Sequence, residues 1–337
     1  MTAADGVAAS LPLRRILSAL AKAALSGLLI ALILWRVPLA KAFDGLASLS
    51  FAAILAALVL TFAFPAIAAL RWKRALHRLG TQVPWVPLLA DTLVSSTYNM
   101  LLPTQIGGDV VRALRCARRA SRPSHAWSSA LFERLVGLVA LALLAVPGLA
   151  MAPGARPQIT LAVAAFASLA GILVFAAPAP FRFAARLIAK RSQSVANLGS
   201  HLAEDLSGPL ATLSARLEML AWSLLYQAVG LGLLAVVVLD WGRPDLCWAI
   251  LGAVPLALVL TLLPVSIAGL GVRESLFVVL LGQFGVPSDR ALSLALIWLA
   301  SALLLALAGA VVLLLEASRG ARAVDASAPD LRSGGES

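Results

Sequence analysis

The sequence predicts an all-α polytopic membrane protein with about six transmembrane helices and two re-entrant, broken-helix hairpins in an inverted repeat. Three observations predict this class. Of the 337 residues, 61% are hydrophobic and only 13% are charged, which excludes an ordinary soluble protein. Apolar runs of close to the ~20 residues that span a bilayer as a helix recur along the chain. A twelve-residue motif also occurs nearly twice, which indicates two related halves.

The apolar runs are of two kinds, continuous and interrupted. The N-terminal run follows Arg14 and Arg15 and is too long for the core of a cleavable signal peptide, so it is interpreted as the first span. Two segments, 86–106 and 246–284, contain the repeated motif and are predicted to be broken by it. Full crossings are predicted at 16–35, 51–70, 127–147, 158–177, 219–239 and 291–315.

The repeated motif pairs residues 101–112 with 262–273 at a constant offset of 161, and seven of the twelve positions are identical. Pro103 and Pro264 each remove a backbone donor and break a helix. Irregular backbone at membrane depth is tolerated only when it is buried in protein or lines a wet cavity. Paired breaks in two halves are typical of the binding site of an inverted-repeat transporter. The two tips are therefore expected to enter from opposite faces and meet near the midplane.

The distribution of positive charge predicts the orientation. Of the 27 Lys and Arg, 20 fall on the side that contains the N-terminus, five fall on the other side, and two lie within membrane segments. This bias predicts cytoplasmic N- and C-termini in a plasma membrane. Basic flanks on both sides of 86–106 predict that this hairpin enters from the cytoplasm, whereas 246–284 lacks such flanks. The net charge of +11 is explained by topology and contact with the anionic cytoplasmic leaflet, so no nucleic-acid partner is expected.

These patterns divide the chain into repeats and connecting segments. The connector contains Arg182, Arg186 and Lys190 at intervals of four beside an apolar face, which fits an interfacial helix and equally a plain connector. The tail is rich in Ala, Ser and Gly and is predicted to be disordered. The predicted parts are a cytoplasmic N-terminus 1–15, a first membrane repeat 16–147, a second membrane repeat 158–315 with a cytoplasmic connector 178–218, and a cytoplasmic tail 320–337.

Three groups of ionisable residues interrupt the apolar background. In the first, Asp109 and Arg112 are three residues apart and can pair on one helix face. A helix starting at the preceding glycines would also point free N–H groups toward an anion. The alternative is a helix cap with an arginine that only sets topology. The second group, Glu133-Arg134, lies early in a span, where the two side chains point about 100° apart and need other partners. Its alternative is snorkelling to the interface.

The third group, Arg273-Glu274, places opposite charges beside the second break. Partners across the repeats stay open: Arg112 or Arg134 with Glu274, and Arg273 with Asp109 or Glu133. The glycine pair nearby lacks the strand that a dinucleotide fingerprint requires, and no metal-ligand cluster exists, so no cofactor, metal or catalytic residue is predicted. The predicted substrate-binding residues are Asn99, Pro103, Gly107, Gly108, Asp109, Arg112, Glu133, Arg134, Pro264, Ser266, Gly269, Gly271, Arg273 and Glu274.

At these motifs the chain resembles the lysylphosphatidylglycerol synthase transmembrane-region family, also called flippase-like or uncharacterised protein family 0104. The resemblance covers about 15–315. One departure is Ala268, where the family usually has another Gly, which puts backbone contact with substrate there in doubt. The matching pieces, in order, are Asn99-x-x-Leu-Pro103 with Gly108-Asp109-x-x-Arg112, Glu133-Arg134-x-x-Gly137, and Pro264-x-Ser-x-x-Gly-x-Gly-x-Arg273-Glu274.

The resemblance implies lipid translocation or lipid binding. Relatives include the lipid-translocating half of multiple peptide resistance factors, which carry a separate aminoacyl-transferase domain. The sequence ends soon after the last predicted span, so that domain is not expected and the protein is predicted not to be an enzyme. The predicted partner is a membrane lipid with an anionic head group, and a homo-oligomer stays open. The alternatives are a membrane-embedded transferase acting on a lipid-linked substrate and a non-transporting subunit of a lipid or envelope pathway.

Overall fold

The computed structural model describes residues 39–102, 107–152, 193–261 and 271–327, together with positions 157, 158, 161, 163–165 and 171. Within these residues the fold contains ten α-helices, one 3₁₀ turn at Pro209–Ala211, and no strand. The helices are α1 Leu39–Ala47, α2 Phe51–Arg78, α3 Trp85–Leu101, α4 Gly107–Ala117, α5 Pro123–Met151, α6 Gln193–Ser207, α7 Leu213–Asp240, α8 Leu246–Leu260, α9 Val272–Gly282 and α10 Ser288–Ser327.

Four of the described helices are long and apolar enough to cross a bilayer: α2, α5, α7 and the Ser288–Arg319 part of α10. They coincide with the crossings predicted at 51–70, 127–147, 219–239 and 291–315. The prediction of an all-α polytopic membrane protein is therefore confirmed. Of the other two predicted crossings, 16–35 lies outside the described residues and 158–177 lies almost entirely outside them.

The long helices expose apolar side chains on their outer faces. Such continuous apolar surfaces would be a liability in water, whereas hydrocarbon solvates them well, and every backbone group inside a helix is already paired. The outward-facing set on α2 is Phe51, Ile54, Leu55, Leu58, Val59 and Phe62, and on α10 it is Leu303, Leu304, Leu307, Val311, Leu314 and Leu315.

The order of helices repeats. The elements α2 to α5 recur as α7 to α10, and each begins 161 to 165 residues after its counterpart. The first helix of each half even starts with an equivalent N-cap, since Ser50 Oγ accepts from the N–H of Ala53 and Thr212 Oγ1 accepts from that of Ala215. A side-chain oxygen at this position satisfies one of the unpaired N–H groups of the first turn. The repeat seen in twelve residues of sequence thus extends over four helices.

The two halves run in opposite directions. At one end of the α2–α7 pair, the Ser50 backbone N–H donates to Asp240 Oδ2 at 2.9 Å. At the other end, Arg78 Nε donates to Glu218 Oε2 at 2.8 Å. These contacts join the start of α2 to the end of α7 and the end of α2 to the start of α7. Equivalent helices are therefore antiparallel, which is the arrangement of an inverted repeat.

The two halves also pack against each other through two pairs of helices whose backbones come into close contact. Helix α3 of the first half packs along α10 of the second, and α8 of the second half packs along α5 of the first. A Cβ on Gly148 of α5 would overlap the backbone of Gly252 in α8, and one on Gly309 of α10 would overlap the carbonyl of Leu93 in α3. Gly148 and Gly309 are separated by the repeat offset of 161 residues. Each half therefore uses the equivalent glycine to let the opposite half approach at backbone distance.

Each predicted break separates two helices: α3 from α4 in the first half, where α4 lies beyond the predicted segment 86–106, and α8 from α9 in the second half. In the first, Asn99 Oδ1 accepts from the Gly108 N–H at 2.9 Å near the tip, and Arg115 Nε donates to Asp91 Oδ1 at 2.6 Å near the base. Helices α3 and α4 therefore form an antiparallel hairpin, and α8 and α9 pack together in the second half. The breaks themselves, 103–106 and 262–270, lie outside the described residues.

Only part of the predicted connector and tail is described. Helix α6 lies in the connector and is tied to α5 because Ser128 Oγ donates to Asp205 Oδ2 at 2.6 Å. The basic series predicted to form an interfacial helix, Arg182, Arg186 and Lys190, lies outside the described residues. Helix α10 continues to Ser327, past position 320 where the sequence predicts the tail to begin, and 328–337 lies outside the described residues.

Candidate functional site

A cavity of about 340 Å³ is lined by described residues of both hairpins. The first hairpin contributes Asn99 and Asp109 to its wall, and the second contributes Thr261 and Arg273. Its size falls in the usual range for small-molecule sites, roughly 300–1,000 Å³. The remaining described lining residues come mainly from the long helices: Phe64, Pro65, Ala68, Arg71, Thr92, Ser95, Ser96, Arg112, Glu133, Arg134, Gly137, Leu138, Leu141, Tyr226, Gln227, Leu258, Trp298 and Leu305.

Glu133 is the centre of the charged cluster on this wall. Its side chain is completely buried, and Oε1 accepts from Arg71 Nε at 2.9 Å. Its second oxygen, Oε2, lies 3.1 Å from Arg112 Nη1. Arginine is suited to this position because its planar group offers several donors in a fixed geometry. Two arginines from different helices therefore converge on one buried carboxylate.

The cluster continues from Arg112 to Asp109 in the first turn of α4. Arg112 Nε lies 3.0 Å from Asp109 Oδ1, the i,i+3 pair that the sequence predicts. Asp109 also pairs with Arg134. The result is a continuous series Arg71–Glu133–Arg112–Asp109–Arg134 that links α2, α4 and α5. Because a buried ion is costly unless it is paired, this alternation is what allows five charges at one cavity.

Aromatic rings cover the guanidinium groups at two points. The Arg71 guanidinium carbon lies 4.5 Å from the centroid of the Tyr226 ring, and that of Arg112 lies 4.7 Å from the Trp72 ring. An aromatic face attracts a cation, more strongly where water is excluded. The rings therefore fix the orientation of both arginines without adding negative charge to the cavity.

In the second hairpin, Glu274 turns back on its own helix terminus. Its Oε2 accepts from the Gly271 N–H at 2.7 Å, and its Oε1 accepts from Arg273 Nη2 at 3.0 Å. Gly271 has a φ of 78°, in the left-handed region that favours glycine. Both charged side chains are buried, with 8% of each exposed. Glu274 therefore caps α9 and balances Arg273, which reaches the cavity wall.

Two glycines at the start of α4 allow this helix to approach the end of α3 closely. A Cβ on Gly108 would overlap the carbonyl of Ser95, and one on Gly107 would overlap the side chain of Leu102. With no side chain at these positions, α4 starts directly against the end of α3. Asp109 then falls in the first turn of α4, where the positive end of the helix dipole stabilises a carboxylate.

Comparison with known proteins identifies the family of this chain. The sequence profile of the family described as Lysylphosphatidylglycerol synthase TM region matches residues 19–315. The chain belongs to this family. No curated protein matches it closely enough to count as a relative.

Several of the residues predicted for the site of this lysylphosphatidylglycerol synthase TM region protein meet at the cavity. Those on its wall are Asn99, Asp109, Arg112, Glu133, Arg134 and Arg273. Gly107, Gly108 and Gly271 shape the turns, and Glu274 lies behind Arg273. Pro103, Pro264, Ser266 and Gly269 lie outside the described residues. Among the described side chains, the ion pairs of these site residues stay within each half: Arg112 and Arg134 pair with Asp109, and Arg273 pairs with Glu274.

The sequence analysis missed Arg71, Tyr226 and Gln227 as wall residues of this family member. Arg71 belongs by sequence to the basic residues that precede segment 86–106, yet its side chain is only 7% exposed. The sequence did contain a signal for this burial, which is the position of Arg71 relative to the membrane. Arg71 comes directly after the apolar run and two helical turns before Arg78, so it is expected to lie deeper in the membrane than Arg78 does. Tyr226 and Gln227 carried no such signal, since isolated polar residues in a span have many structural uses.

Among the described residues, no group of three or more His, Cys, Asp or Glu side chains is arranged to hold a metal ion. The carboxylates on the cavity wall instead contact arginines. Four arginines line the cavity, against Asp109, Glu133 and the adjacent Glu274. The described ionisable groups therefore leave a surplus of one positive charge, and the chemistry they offer is anion recognition in a partly apolar pocket.

Proposed function

We propose that this protein translocates a phospholipid or a lipid with a modified head group, and that the head group passes through the cavity between the hairpins. The observation that carries the proposal is the meeting of residues from both hairpin ends on one cavity wall with surplus positive charge. A phosphodiester has a single negative charge and would balance that surplus. Membership in a lipid-related membrane family supports the same conclusion.

The inverted arrangement supplies a route for transport. In transporters built from inverted repeats, substrate sites lie at the repeat interface, and one repeat moves against the other around the site. Here that interface is formed by three pairs of packed helices, one helix from each half: α2 with α7, α3 with α10, and α5 with α8. The first hairpin enters from the cytoplasm and the second from outside, and both termini are cytoplasmic. The protein resides in the plasma membrane in this proposal.

An enzymatic function is the second candidate, because the family description names a synthase. A transferase needs a general base within reach of the substrate proton. Glu133 contacts Arg71 and Arg112, and Asp109 contacts Arg112 and Arg134. Carboxylates held in this way favour a role in positioning arginines over proton abstraction. The geometry therefore supports binding and transport better than synthesis.

Reconstitution separates these functions. Purified protein would be placed in liposomes that contain fluorescent phosphatidylglycerol, and the fraction of label accessible to an external quencher would be followed over time. In the same vesicles, mass spectrometry would detect any new lipid product. Faster exchange between leaflets without a product supports translocation. A product would support the transferase. The absence of both faster exchange and a product would support a non-transporting subunit of a larger assembly.

A matched pair of variants ties the activity to the cavity. Arg134→Gln removes an arginine that pairs with Asp109 on the cavity wall. Arg243→Gln removes one that pairs with Asp245 in an exposed loop. Translocation should fall in the first variant and stay normal in the second. Equal activity in the two variants would contradict the proposed route.

A further inference from the structure

A second cavity of about 240 Å³ lies between α5 and α8, and its described lining is entirely aliphatic. Pro255 bounds it on α8 and interrupts the hydrogen bonding of that helix, since proline has no N–H. An apolar cavity of 150 Å³ stays dry and binds an apolar ligand, so a larger one offers a chain a favourable place. The lining residues are Leu141, Ala142, Ala145, Val163, Pro255, Leu256 and Val259.

The apolar cavity lies next to the charged one, and both are lined by residues of α5. Glu133, Gly137, Leu141 and Ala145 recur at intervals of four residues, which places them on one helix face. The first three line the charged cavity, the last lines the apolar cavity, and Leu141 lines both. From Glu133 to Ala145 the helix rises about 18 Å. Over this distance the wall changes from buried charge to pure hydrocarbon.

The close contact between Gly148 of α5 and Gly252 of α8 limits the apolar cavity on the side away from Glu133. One turn beyond Ala145, Gly148 meets the backbone of Gly252, so that α5 and α8 touch directly. Between that contact and the C-terminal end of α8, the two helices border a space that is lined by Ala145 and Val259. The wall is therefore charged near Glu133, aliphatic from Leu141 to Ala145, and ends where α5 and α8 touch. A lipid has the same change in polarity between its head group and its acyl chains.

We infer that the apolar cavity binds one acyl chain of the same lipid whose phosphate lies among the arginines. This inference rests on the proposed function, and it adds that the protein holds part of the hydrocarbon chain as well as the head group. The two cavities are adjacent at Leu141, and this proximity favours one lipid that occupies both over an unrelated membrane lipid. A chain seated there would anchor the lipid while the head group is transferred, and lipids lacking a chain would be poor substrates.

Photolabelling tests the inference directly. Phosphatidylglycerol with a diazirine in one acyl chain would be mixed in rising amounts into liposomes that contain the full-length protein. The liposomes would be irradiated, and the labelled peptides of the protein would be mapped. Labelling at 141–145 and 255–259 should saturate, because these residues line a site. Labelling of the outward face of α10, around Leu307 and Leu314, should rise in proportion to the probe. A proportional rise at both places would overturn the acyl-chain site.

Two filling variants and one control sharpen the test. Ala145→Phe and Val259→Phe occupy the cavity from opposite helices, and each should reduce saturable labelling to the level of the outward face. Ala52→Phe adds the same ring on the exposed face of α2 and should leave labelling unchanged. Two filling variants are used so that a folding defect in one, detected by size-exclusion chromatography, does not decide the result. Unchanged labelling in a folded filling variant would overturn the proposal.

A variant in the charged cavity tests whether the bound acyl chain belongs to the lipid whose head group lies among the arginines. Arg273→Gln removes a head-group anchor without touching the apolar cavity, so it should lower labelling at 141–145 if both sites hold one lipid. Labelling that persists would show an independent bilayer lipid and contradict the inference. If the wild-type protein labels saturably but moves no lipid, translocation is wrong while the acyl-chain site stands.

Discussion

Arg71 donates a 2.9 Å hydrogen bond to Glu133, which lies 62 residues further along the chain, and both side chains are buried. The same carboxylate lies 3.1 Å from Arg112, so one acid holds two arginines at the cavity wall. A second glutamate, Glu218, also pairs with an arginine of α2, but at the end of the helix, where its side chain is 25% exposed. These two glutamates allow the role of burial to be measured.

Glu133→Gln should destabilise the protein strongly. Removing one partner of a buried pair leaves an uncompensated charge, at a typical loss of about 3–5 kcal/mol. Glu218→Gln should cost less than about 1 kcal/mol, because solvent screens the partner that remains. Thermal unfolding in detergent, followed by size-exclusion chromatography, measures both. Similar midpoints for the two variants would show that Glu133 does not stabilise the arginines as described.

Arg273→Lys should reduce lipid translocation at normal protein abundance. Lysine keeps the charge beside Glu274 but lacks the planar fork of donors that matches a phosphate. Arg243→Lys, in an exposed loop, is the matched control and should transport normally. Transport in liposomes and protein yield would be measured together. Normal translocation at normal levels by both Arg273→Lys and Arg273→Gln would exclude a substrate role for Arg273.

The repeat predicts that Gly148→Ala and Gly309→Ala have similar effects. In both positions the new methyl group would overlap backbone of the opposite half, and overpacking of this kind costs roughly 1–3 kcal/mol. Gly282→Ala is the control, because a Cβ there meets nothing within 4 Å, and its effect should stay within about 0.5 kcal/mol. Unfolding midpoints would be compared under one condition. A harmless substitution at either glycine would show that the halves do not depend on that contact.

Cysteine labelling should confirm the proposed orientation. In a background with Cys116 and Cys247 replaced by Ala, Arg118→Cys should react with an impermeant maleimide only from the cytoplasm. Arg243→Cys should react only from outside. The reason is the bias of positive charge toward the cytoplasmic side. Reaction of position 118 in intact cells would reverse or overturn the predicted topology.

Local patterns in the sequence were sufficient for the class of fold and for six of the residues that line the cavity. The apolar runs predicted the long helices α2, α5, α7 and α10, because a bilayer requires about twenty apolar residues per crossing whatever the tertiary packing. The doubled motif predicted two related halves, and the antiparallel α2–α7 pair has the inverted arrangement. The i,i+3 pairing of Asp109 and Arg112 also followed from helix geometry alone.

Tertiary structure decided which charges meet. The sequence left open ion pairs between the halves, but Glu274 binds its own helix terminus and Arg273, and Asp109 binds Arg112 and Arg134. Arg71 joined the site only because α2 and α5 pack together and bring it to Glu133. Helix periodicity fixes contacts within a few residues, whereas partners 62 residues apart depend on which helix faces pack. Spacing along the chain therefore determined the spans and the repeat, and packing between helices determined the cavity and the pairing of its charges.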